Sequence, residues 1–364
     1  MLKKEKYIIG FCLIVVTVMG CHSRFQPNTE GTVVEDMLGR KITIPSKVER
    51  IVGIRAGTLR LLLYMDTSDM IAGIEEAETR SPRPYLAPFP ELLELPVIGP
   101  LMGGDAEMIL HVRPDVIFTS YTTIGEADVL QKKTGIPVVA LECPEMATSA
   151  RDTLYSSLRL IGKVLHKEER ADSLVGYMQA MIRELGERTA DIPEKDRTGV
   201  YIGGISYSGA KGIASTQPYF PPFSFTHARN VASVLEKRLI SHVKGTYIDK
   251  EQLLLWDPDI IFIDESGLDL SLDDIRTGKS LYGLGAVQNN RIYTLLPYNN
   301  YAINYEMVLI NSWFAAKVMY PEEFPDIDIR EKGNEISAVF FGKPVFDEWI
   351  TGNSFRMIDK KKIR

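Results

Sequence analysis

The sequence predicts an α/β protein made of two Rossmann-like lobes joined by a long α-helix, with a ligand cleft between the lobes. Two observations predict this fold. Apolar segments rich in β-branched residues alternate with helical segments in both halves of the chain, a pattern typical of parallel sheets. Between the halves, the stretch from Arg151 to about Gly186 contains no proline and carries apolar residues at three- and four-residue steps, which predicts helix.

One motif occurs twice and supports the two similar lobes. "EMILHVRPDVIFTS" covers residues 107 to 120, and "EQLLLWDPDIIFID" covers residues 251 to 264. Each copy has Glu first, Leu fourth and Pro-Asp at the eighth and ninth positions, before a run of β-branched and aromatic residues. We interpret each copy as a short helix that ends before its proline, followed by an apolar strand.

The first thirty-one residues predict a signal and a tether. Residues 1–20 combine the positive "MLKKEK" with a short apolar run, which is typical of a signal peptide. The following Cys21, preceded by Gly20, resembles the lipobox cysteine of bacterial lipoproteins, and the resemblance implies that it is acylated. Residues 21–31 are polar and aperiodic, which suits a lipidated tether. An uncleaved anchor or a plain secretory signal are the alternatives.

The first lobe is predicted for residues 32–148. Two alternating segments flank "DMLGR", which predicts a hairpin whose turn uses Gly39 at positive φ. Five further strands are predicted, at residues 50–54, 70–74, 96–99, 115–120 and 137–141.

A linking helix is predicted for residues 149–190, either as one helix or as two that abut near "HKEER". The second lobe then spans residues 191–364, with strands at 199–204, 259–264 and 291–295. Near its end, "YEMVLINSWFAAKVMY" predicts an amphipathic terminal helix.

Composition excludes several classes of function. The 364 residues carry a formal charge of −6, so the chain lacks the basic field that nucleic-acid binding needs. Beyond the signal and Cys21, Cys143 is the single remaining cysteine, which excludes an intrachain disulfide. The five histidines show no metal-ligand spacing, which disfavours a directly bound metal ion and predicts no resident cofactor.

The glycine-rich stretch from 203 to 223, "GGISYSGAKGIASTQPYFPPF", matches neither of two catalytic motifs. A nucleophile elbow centred on Ser206 would need glycine where Ser208 stands. A phosphate loop would need the lysine directly after its last glycine, yet Ala210 precedes Lys211. The sequence therefore predicts a binding protein rather than an enzyme.

Together, the lipobox, the "DMLGRKITIPSKVERIVGI" opening, the long helix and the repeated motif resemble the helical-hinge (class III) substrate-binding proteins of ABC transporters, which include ferric-siderophore, haem and cobalamin binders. This resemblance implies that one exposed glutamate on each lobe docks onto arginines of the permease dimer. The matching positions are Glu107 and Glu251. The alternative is that each acidic residue merely favours the positive end of its helix.

Ligands of open α/β sheets bind beyond the carboxyl ends of the strands. The residues that follow the predicted strands mix cations with tyrosines, which suits a bulky, anionic, partly aromatic ligand such as a ferric chelate. The predicted ligand-binding residues are Arg55, Arg80, Tyr121, Ser206, Tyr207, Lys211, Tyr298 and Asn299. Glu265 and His227 are weaker candidates.

The sequence thus predicts a lipid-anchored receptor in the cell envelope that captures an iron(III) chelate and delivers it to an ABC permease dimer. The same scaffold could instead hold haem, a corrinoid or an oxyanion such as molybdate. An envelope enzyme and a structural lipoprotein are the alternatives of another class.

Overall fold

The computed structural model describes residues 31–80, 83–100, 103–147, 150–206, 209–235, 245–278 and 280–363. The predicted signal peptide, Cys21 and Tyr207 lie outside these ranges. Within them, no helix combines the length and apolar character needed to cross a membrane.

Strands and helices alternate along most of this chain. The strands are β1 Gly31–Glu35, β2 Lys41–Pro45, β3 Ile51–Ile54, β4 Val116–Thr119, β5 Val138–Ala140, β6 Gly199–Gly203, β7 Ser215–Thr216, β8 Arg229–Asn230, β9 Thr246–Tyr247, β10 Ile260–Asp264 and β11 Ile292–Leu295. The α-helices are α1 Thr58–Tyr64, α2 Glu76–Thr79, α3 Ala106–Val112, α4 Ile124–Thr134, α5 Ala150–Leu165, α6 Glu168–Thr189, α7 Pro221–Phe225, α8 Lys250–Trp256, α9 Leu268–Thr277, α10 Gly285–Gln288, α11 Tyr305–Met319, α12 Ile329–Phe341 and α13 Phe346–Trp349.

The first lobe contains a parallel sheet in the order β3-β4-β5 and the predicted hairpin β1-β2. Gly39 has φ of 77° in the turn of that hairpin. The strands predicted at 70–74 and 96–99 are wrong as full strands. Each makes only isolated parallel bridges, Ile51 with Ile71 and Ile74 with Val97, at the edge of the sheet next to β3.

The second lobe contains a parallel sheet in the order β11-β10-β6-β8, and β7 pairs with β9 beside it. The three strands predicted at 199–204, 259–264 and 291–295 form β6, β10 and β11. All five residues of both β6 and β10 are buried, as expected for strands covered on both faces.

The repeated motif folds in the same way in both lobes. Helices α3 and α8 are seven residues long, follow an aspartate and end at a residue with left-handed backbone. The aspartate of each Pro-Asp pair then binds the start of the neighbouring strand. Asp115 accepts hydrogen bonds from the N–H groups of Glu49 and Arg50 at 2.8 and 2.9 Å. Asp259 accepts one from the N–H of Gly199 at 2.7 Å.

The linking segment is two helices, which is the second of the two alternatives predicted for residues 149–190. Helix α5 ends at Leu165 and α6 begins at Glu168, on either side of His166, which has φ of 53°. The break lies at "HKEER", as in the two-helix alternative. The helices run antiparallel, since Arg159 of α5 forms an ion pair with Asp172 of α6 at 2.8 Å. Helix α6, about 33 Å long, leads into the second lobe.

The segment predicted as an amphipathic terminal helix is neither amphipathic nor terminal. Helix α11 is buried on nearly all sides, because it packs against α6, α7 and α12 at once. Helices α12 and α13 follow it and return to the first lobe. There, the ring of Phe340 lies 4.8 Å from that of Tyr64, and the indole N–H of Trp349 donates to the carbonyl of Pro84 at 3.0 Å.

One apolar core runs through both lobes. Buried side chains of β3, α6, β6, β10 and α11 belong to a single contiguous cluster. Two smaller clusters complete the outer layers, one in each lobe. The lobes are therefore held by shared packing as well as by the connecting chain.

Candidate ligand-binding cleft

In the first lobe, Arg55 and Tyr121 follow the carboxyl ends of the neighbouring strands β3 and β4. Both have left-handed backbone, with φ of 68° and 44°, which turns the chain sharply at the strand ends. The Arg55 guanidinium donates to the carbonyl of Tyr121 and lies 3.2 Å from the carboxylate of Glu126. The Tyr121 side chain is 56% exposed, and its hydroxyl donates to the carbonyl of Cys143 at 3.1 Å. The structure thus brings Arg55 and Tyr121 into contact at the strand ends, through the backbone carbonyl of Tyr121.

In the second lobe, Ser206 and Asn299 come together after β6 and β11. The Asn299 amide donates to the carbonyl of Ser206 at 2.8 Å, and the Ser206 hydroxyl donates to the carbonyl of Gly209 at 2.8 Å. Lys211 is half-buried in the same loop. Tyr207 belongs to this loop in sequence, but it lies outside the described residues.

Two predicted ligand-binding residues lie elsewhere. The Arg80 side chain is 52% exposed at the end of α2 and pairs with Glu76 at 3.0 Å. Arg83, three residues later, reaches the second lobe instead of Arg80 and donates to the side-chain oxygen of Asn300. Tyr298 is buried under the cleft because its ring packs 5.8 Å from that of Phe220.

The two lobes meet at a short loop of the second lobe, residues 299–303, which we call the tongue. Asn299 and Ile303 form an antiparallel bridge, and the tip residues Tyr301 and Ala302 have φ of 50° and 69°. Left-handed backbone is unfavourable for non-glycine residues, so outside contacts must hold this turn. Gly57 of the first lobe leaves room for the tip of the tongue. A Cβ atom at position 57 would lie only 3.0 Å from the methyl group of Ala302.

Arg60 of the first lobe supplies the strongest of these outside contacts. It is fully buried, and its guanidinium donates to the carbonyl oxygens of Ile303, Asn300 and Tyr301 at 2.6, 2.8 and 3.0 Å. It also lies 4.3 Å above the ring of Tyr85. These three bonds offset part of the cost of burying the charge, while the buried Nε of Arg60 has no hydrogen-bond partner among the described residues.

Two buried carboxyls flank the Arg60 guanidinium. Glu306 of the second lobe accepts a hydrogen bond from the Tyr64 hydroxyl, and Glu78 accepts one from the Tyr85 hydroxyl. Burial raises the pKa of both carboxyls above the usual range, and Arg60 partly opposes this shift in each. The floor between the lobes is therefore a compact network of charged and phenolic groups.

Glu75 occupies the centre of the floor. Its carboxylate accepts hydrogen bonds from the N–H groups of Gly103, Gly104 and Arg55 at 2.6, 3.1 and 2.7 Å, and from the Tyr301 hydroxyl at 3.1 Å. Burial raises the pKa of Glu75 to about 7, against the lowering effect of these hydrogen bonds. The Tyr301 bond joins the two lobes directly.

Sequence reasoning missed Glu75, Arg60 and the tongue. Glu75 directly follows a predicted strand, so the rule that selected Arg55 could also have selected it. Arg60 was detectable as the one charge within the apolar helix "TLRLLLYM". The tongue carries no such signal, because its contacts come from residues more than 200 positions away in the chain.

The weaker candidates Glu265 and His227 lie away from the floor. Glu265 accepts hydrogen bonds from the hydroxyls of Thr351 and Ser354. His227 contacts the hydroxyl of Thr189 at 3.2 Å and lines a surface pocket of about 290 Å³ with Arg197 and Tyr219. Within the described ranges, no three His, Cys, Asp or Glu side chains are arranged to hold a metal ion.

Glu107 and Glu251 occupy equivalent exposed positions. Each is the second residue of its helix, α3 in the first lobe and α8 in the second. Large apolar side chains are exposed beside them, with Leu110 42% and Leu255 81% exposed. Each glutamate therefore lies on the surface of its lobe, close in sequence to an exposed leucine.

Comparisons with known proteins decide the family. The family model described as periplasmic binding protein matches residues 51–298, about two thirds of the chain. The chain belongs to the periplasmic binding protein family. Its fold is that of the helical-hinge (class III) members, the substrate-binding proteins of ABC importers, and it is not an enzyme.

Three curated relatives of this family are similar to the chain. The molybdate-binding protein MolA of Haemophilus influenzae is 24% identical over 332 residues, covering 85% of this chain and 90% of that protein. The ABC transporter substrate-binding lipoprotein YvrC of Bacillus subtilis is 21% identical, covering 81% and 91%. The Fe(3+)-citrate-binding protein YfmC of Bacillus subtilis is 22% identical, covering 54% and 58%.

The molybdate-bound structure of MolA superimposes on this chain with a TM-score of 0.66. It covers 86% of this chain and 98% of MolA, at 22% identity. The likeness extends over both lobes and confirms the predicted two-lobed α/β fold.

Proposed function

We propose that this periplasmic binding protein captures an iron(III) chelate of the siderophore type and delivers it to an ABC permease dimer. The observation that carries the proposal is that Arg55 and Tyr121, which is 56% exposed, follow the neighbouring strands β3 and β4 and contact each other there through the carbonyl of Tyr121. A guanidinium binds anionic oxygens by charge-assisted hydrogen bonds, and a phenol ring stacks on flat ligand groups. Ser206, Lys211 and Asn299 would line the opposite wall.

Ligand titration tests this proposal. The chain has three tryptophans and sixteen tyrosines, so quenching of intrinsic fluorescence can follow binding of ferric citrate and of a ferric catecholate. We expect Arg55→Ala to weaken binding about 10- to 100-fold, because a hydrogen bond to a charged group is lost. The matched control is Arg50→Ala, at the opposite end of β3, where the guanidinium binds the carbonyl of Val112. Unchanged affinity in Arg55→Ala would contradict this role for Arg55.

Molybdate is the second candidate ligand, favoured by the similarity to MolA over most of both chains. The same titration distinguishes it from a ferric chelate. Native mass spectrometry of protein made without residues 1–20 identifies a co-purified ligand of any class, including haem and a corrinoid. A protein that binds no metal compound in either experiment would contradict the proposed function.

The membrane anchor is proposed from sequence alone. Cys21 would carry the lipid, and residues 21–31 would form the tether between the membrane and the folded chain. Cys21→Ala should abolish labelling of the protein by a fatty-acid analogue in growing cells. Labelling that persists in this variant would contradict the anchor.

A further inference from the structure

The three backbone N–H groups around Glu75 form a cradle shaped for an anion. Gly103 and Gly104 have φ of 100° and 65°, and Arg55 has φ of 68°. Their three N–H groups all donate to the Glu75 carboxyl, and concavities lined by backbone N–H groups usually hold a negative oxygen. In this chain the occupant is the carboxylate of Glu75, which is 1% exposed.

The cradle lies where ligands of α/β proteins usually bind. Arg55 follows β3, Glu75 follows the bridge residue Ile74, and Gly103 follows the segment whose Val97 pairs with Ile74. The carboxyl ends of these parallel segments meet at one edge of the first lobe. The Tyr301 hydroxyl of the tongue covers the cradle from the second lobe.

The arginines around the cradle are also engaged. The Arg55 guanidinium binds Glu126 and the carbonyl of Tyr121. Arg83 binds Asn300 and the carbonyl of Ala77, and Arg60 binds the tongue. A small oxyanion entering the cradle would have to displace the Glu75 carboxyl from its three N–H donors.

We propose that the Glu75 carboxyl is an internal ligand that fills the cradle, so that the cleft selects a ligand whose anionic oxygens are already bonded to a metal and rejects a free tetrahedral oxyanion. This inference rests on the proposed function and narrows its ligand class. An oxyanion in the cradle would leave the Glu75 carboxylate buried without its donors. That exchange should weaken oxyanion binding by roughly 10- to 100-fold relative to an open cradle.

Removal of the carboxylate tests the cradle without any chelate. Glu75→Ala leaves three N–H groups and the Tyr301 hydroxyl around an empty space of carboxylate size. We expect this variant to melt at a lower temperature than the wild type and to recover several degrees in sodium formate, but not in sodium chloride of equal concentration. The matched control is Glu76→Ala, which removes an exposed carboxylate paired with Arg80 and should show no formate effect.

Calorimetric titration of the wild type with molybdate and with sulfate provides a second, independent measurement. We expect no heat of binding in the micromolar range for the wild type and detectable molybdate binding by Glu75→Ala. Tight molybdate binding by the wild type would overturn the proposal, and so would a folded Glu75→Ala variant with no response to formate. If that variant does not fold, the wild-type titration alone decides. Failure of ferric chelates to bind would contradict the proposed function and leave these results unaffected.

Discussion

At the residue scale, Tyr301 joins the lobes through one hydroxyl. Its hydrogen bond to Glu75 is the bond that Tyr301→Phe removes while the ring remains over the guanidinium of Arg83 at 4.7 Å. We expect a loss of about 1 to 3 kcal/mol in the free energy of unfolding, because a hydrogen bond to a buried, partly charged carboxyl disappears. Urea unfolding of the wild type and of Tyr301→Phe measures this loss. Tyr247→Phe, at a half-exposed tyrosine of β9, is the control and should change little.

Two buried carboxyls make stability depend on pH at the same scale. Burial raises the pKa of Glu75 and of Asp264 to about 7, from usual values of 4.5 and 3.8. The folded protein therefore binds these protons more tightly than the unfolded chain. The stabilisation that these protons give the folded state is complete below about pH 4 and is lost as the pH rises to about 7. Between those values, each group lowers the free energy of unfolding by at most about 1.4 kcal/mol per pH unit.

We expect the free energy of unfolding to fall between pH 5 and pH 7. The exposed Asp326, whose pKa the Arg188 guanidinium lowers to about 2, acts in the opposite direction only at more acidic pH. Asp264→Asn should flatten the fall, since an amide carries no titrating proton. Urea unfolding at several pH values measures the slope. A wild-type stability that rises from pH 5 to pH 7 would show that these carboxyls do not control it.

At the element scale, the repeated helix and strand explain which parts of the fold were predictable. The runs of β-branched residues after each Pro-Asp pair correctly predicted β4 and β10, because such strands are buried on both faces and need no distant information. The same reasoning misjudged α11, since apolar residues surround this helix and its burial depends on α6, α7 and α12 together.

The cleft was predictable only in part, for a related physical reason. The rule that ligands bind after strand ends selected Arg55 and Tyr121, which the structure brings into contact. It could not show that Tyr298 is buried or that Arg83 rather than Arg80 reaches the second lobe. Those outcomes depend on contacts between residues far apart in the sequence, 78 positions for Tyr298 with Phe220 and 217 positions for Arg83 with Asn300.

The docking role of Glu107 and Glu251 is a prediction at this element scale. Both are exposed at the second position of equivalent helices, and neither has an ion-pair partner among the described residues. The double variant Glu107→Ala, Glu251→Ala should therefore impair uptake while ligand affinity and melting temperature stay nearly unchanged. Charge reversal of both to lysine should impair uptake further, because it places like charges against permease arginines.

A helix-dipole role predicts a different result for the same variants. Stability would fall by roughly 0.3 to 1 kcal/mol per site, and transport would be unaffected. Uptake of labelled ligand by cells with wild-type protein abundance separates the two roles. Glu49→Ala, at an exposed residue of the same lobe as Glu107, is the control. Normal uptake by the double lysine variant would leave the repeated motif as scaffold alone.

At the scale of the whole molecule, packing between the lobes limits their movement. The lobes share one apolar core through α6 and α11, and the tongue is fixed to the first lobe by Arg60. Further bonds cross between the lobes, such as that from the Gln217 amide to Glu145 at 2.9 Å. Opening the cleft widely would break these contacts together, which stiffens the molecule more than the linking helices alone would.

Small-angle scattering with and without ligand should therefore show little compaction, with the radius of gyration nearly unchanged. The Tyr301→Phe variant makes the test sharper, because it weakens the tongue without changing the core. If the tongue restrains the lobes, this variant should have a slightly larger radius of gyration without ligand and should compact more than the wild type when ligand binds. A large ligand-induced change in the wild type would instead show that the lobes move as separate bodies and that the shared core opens.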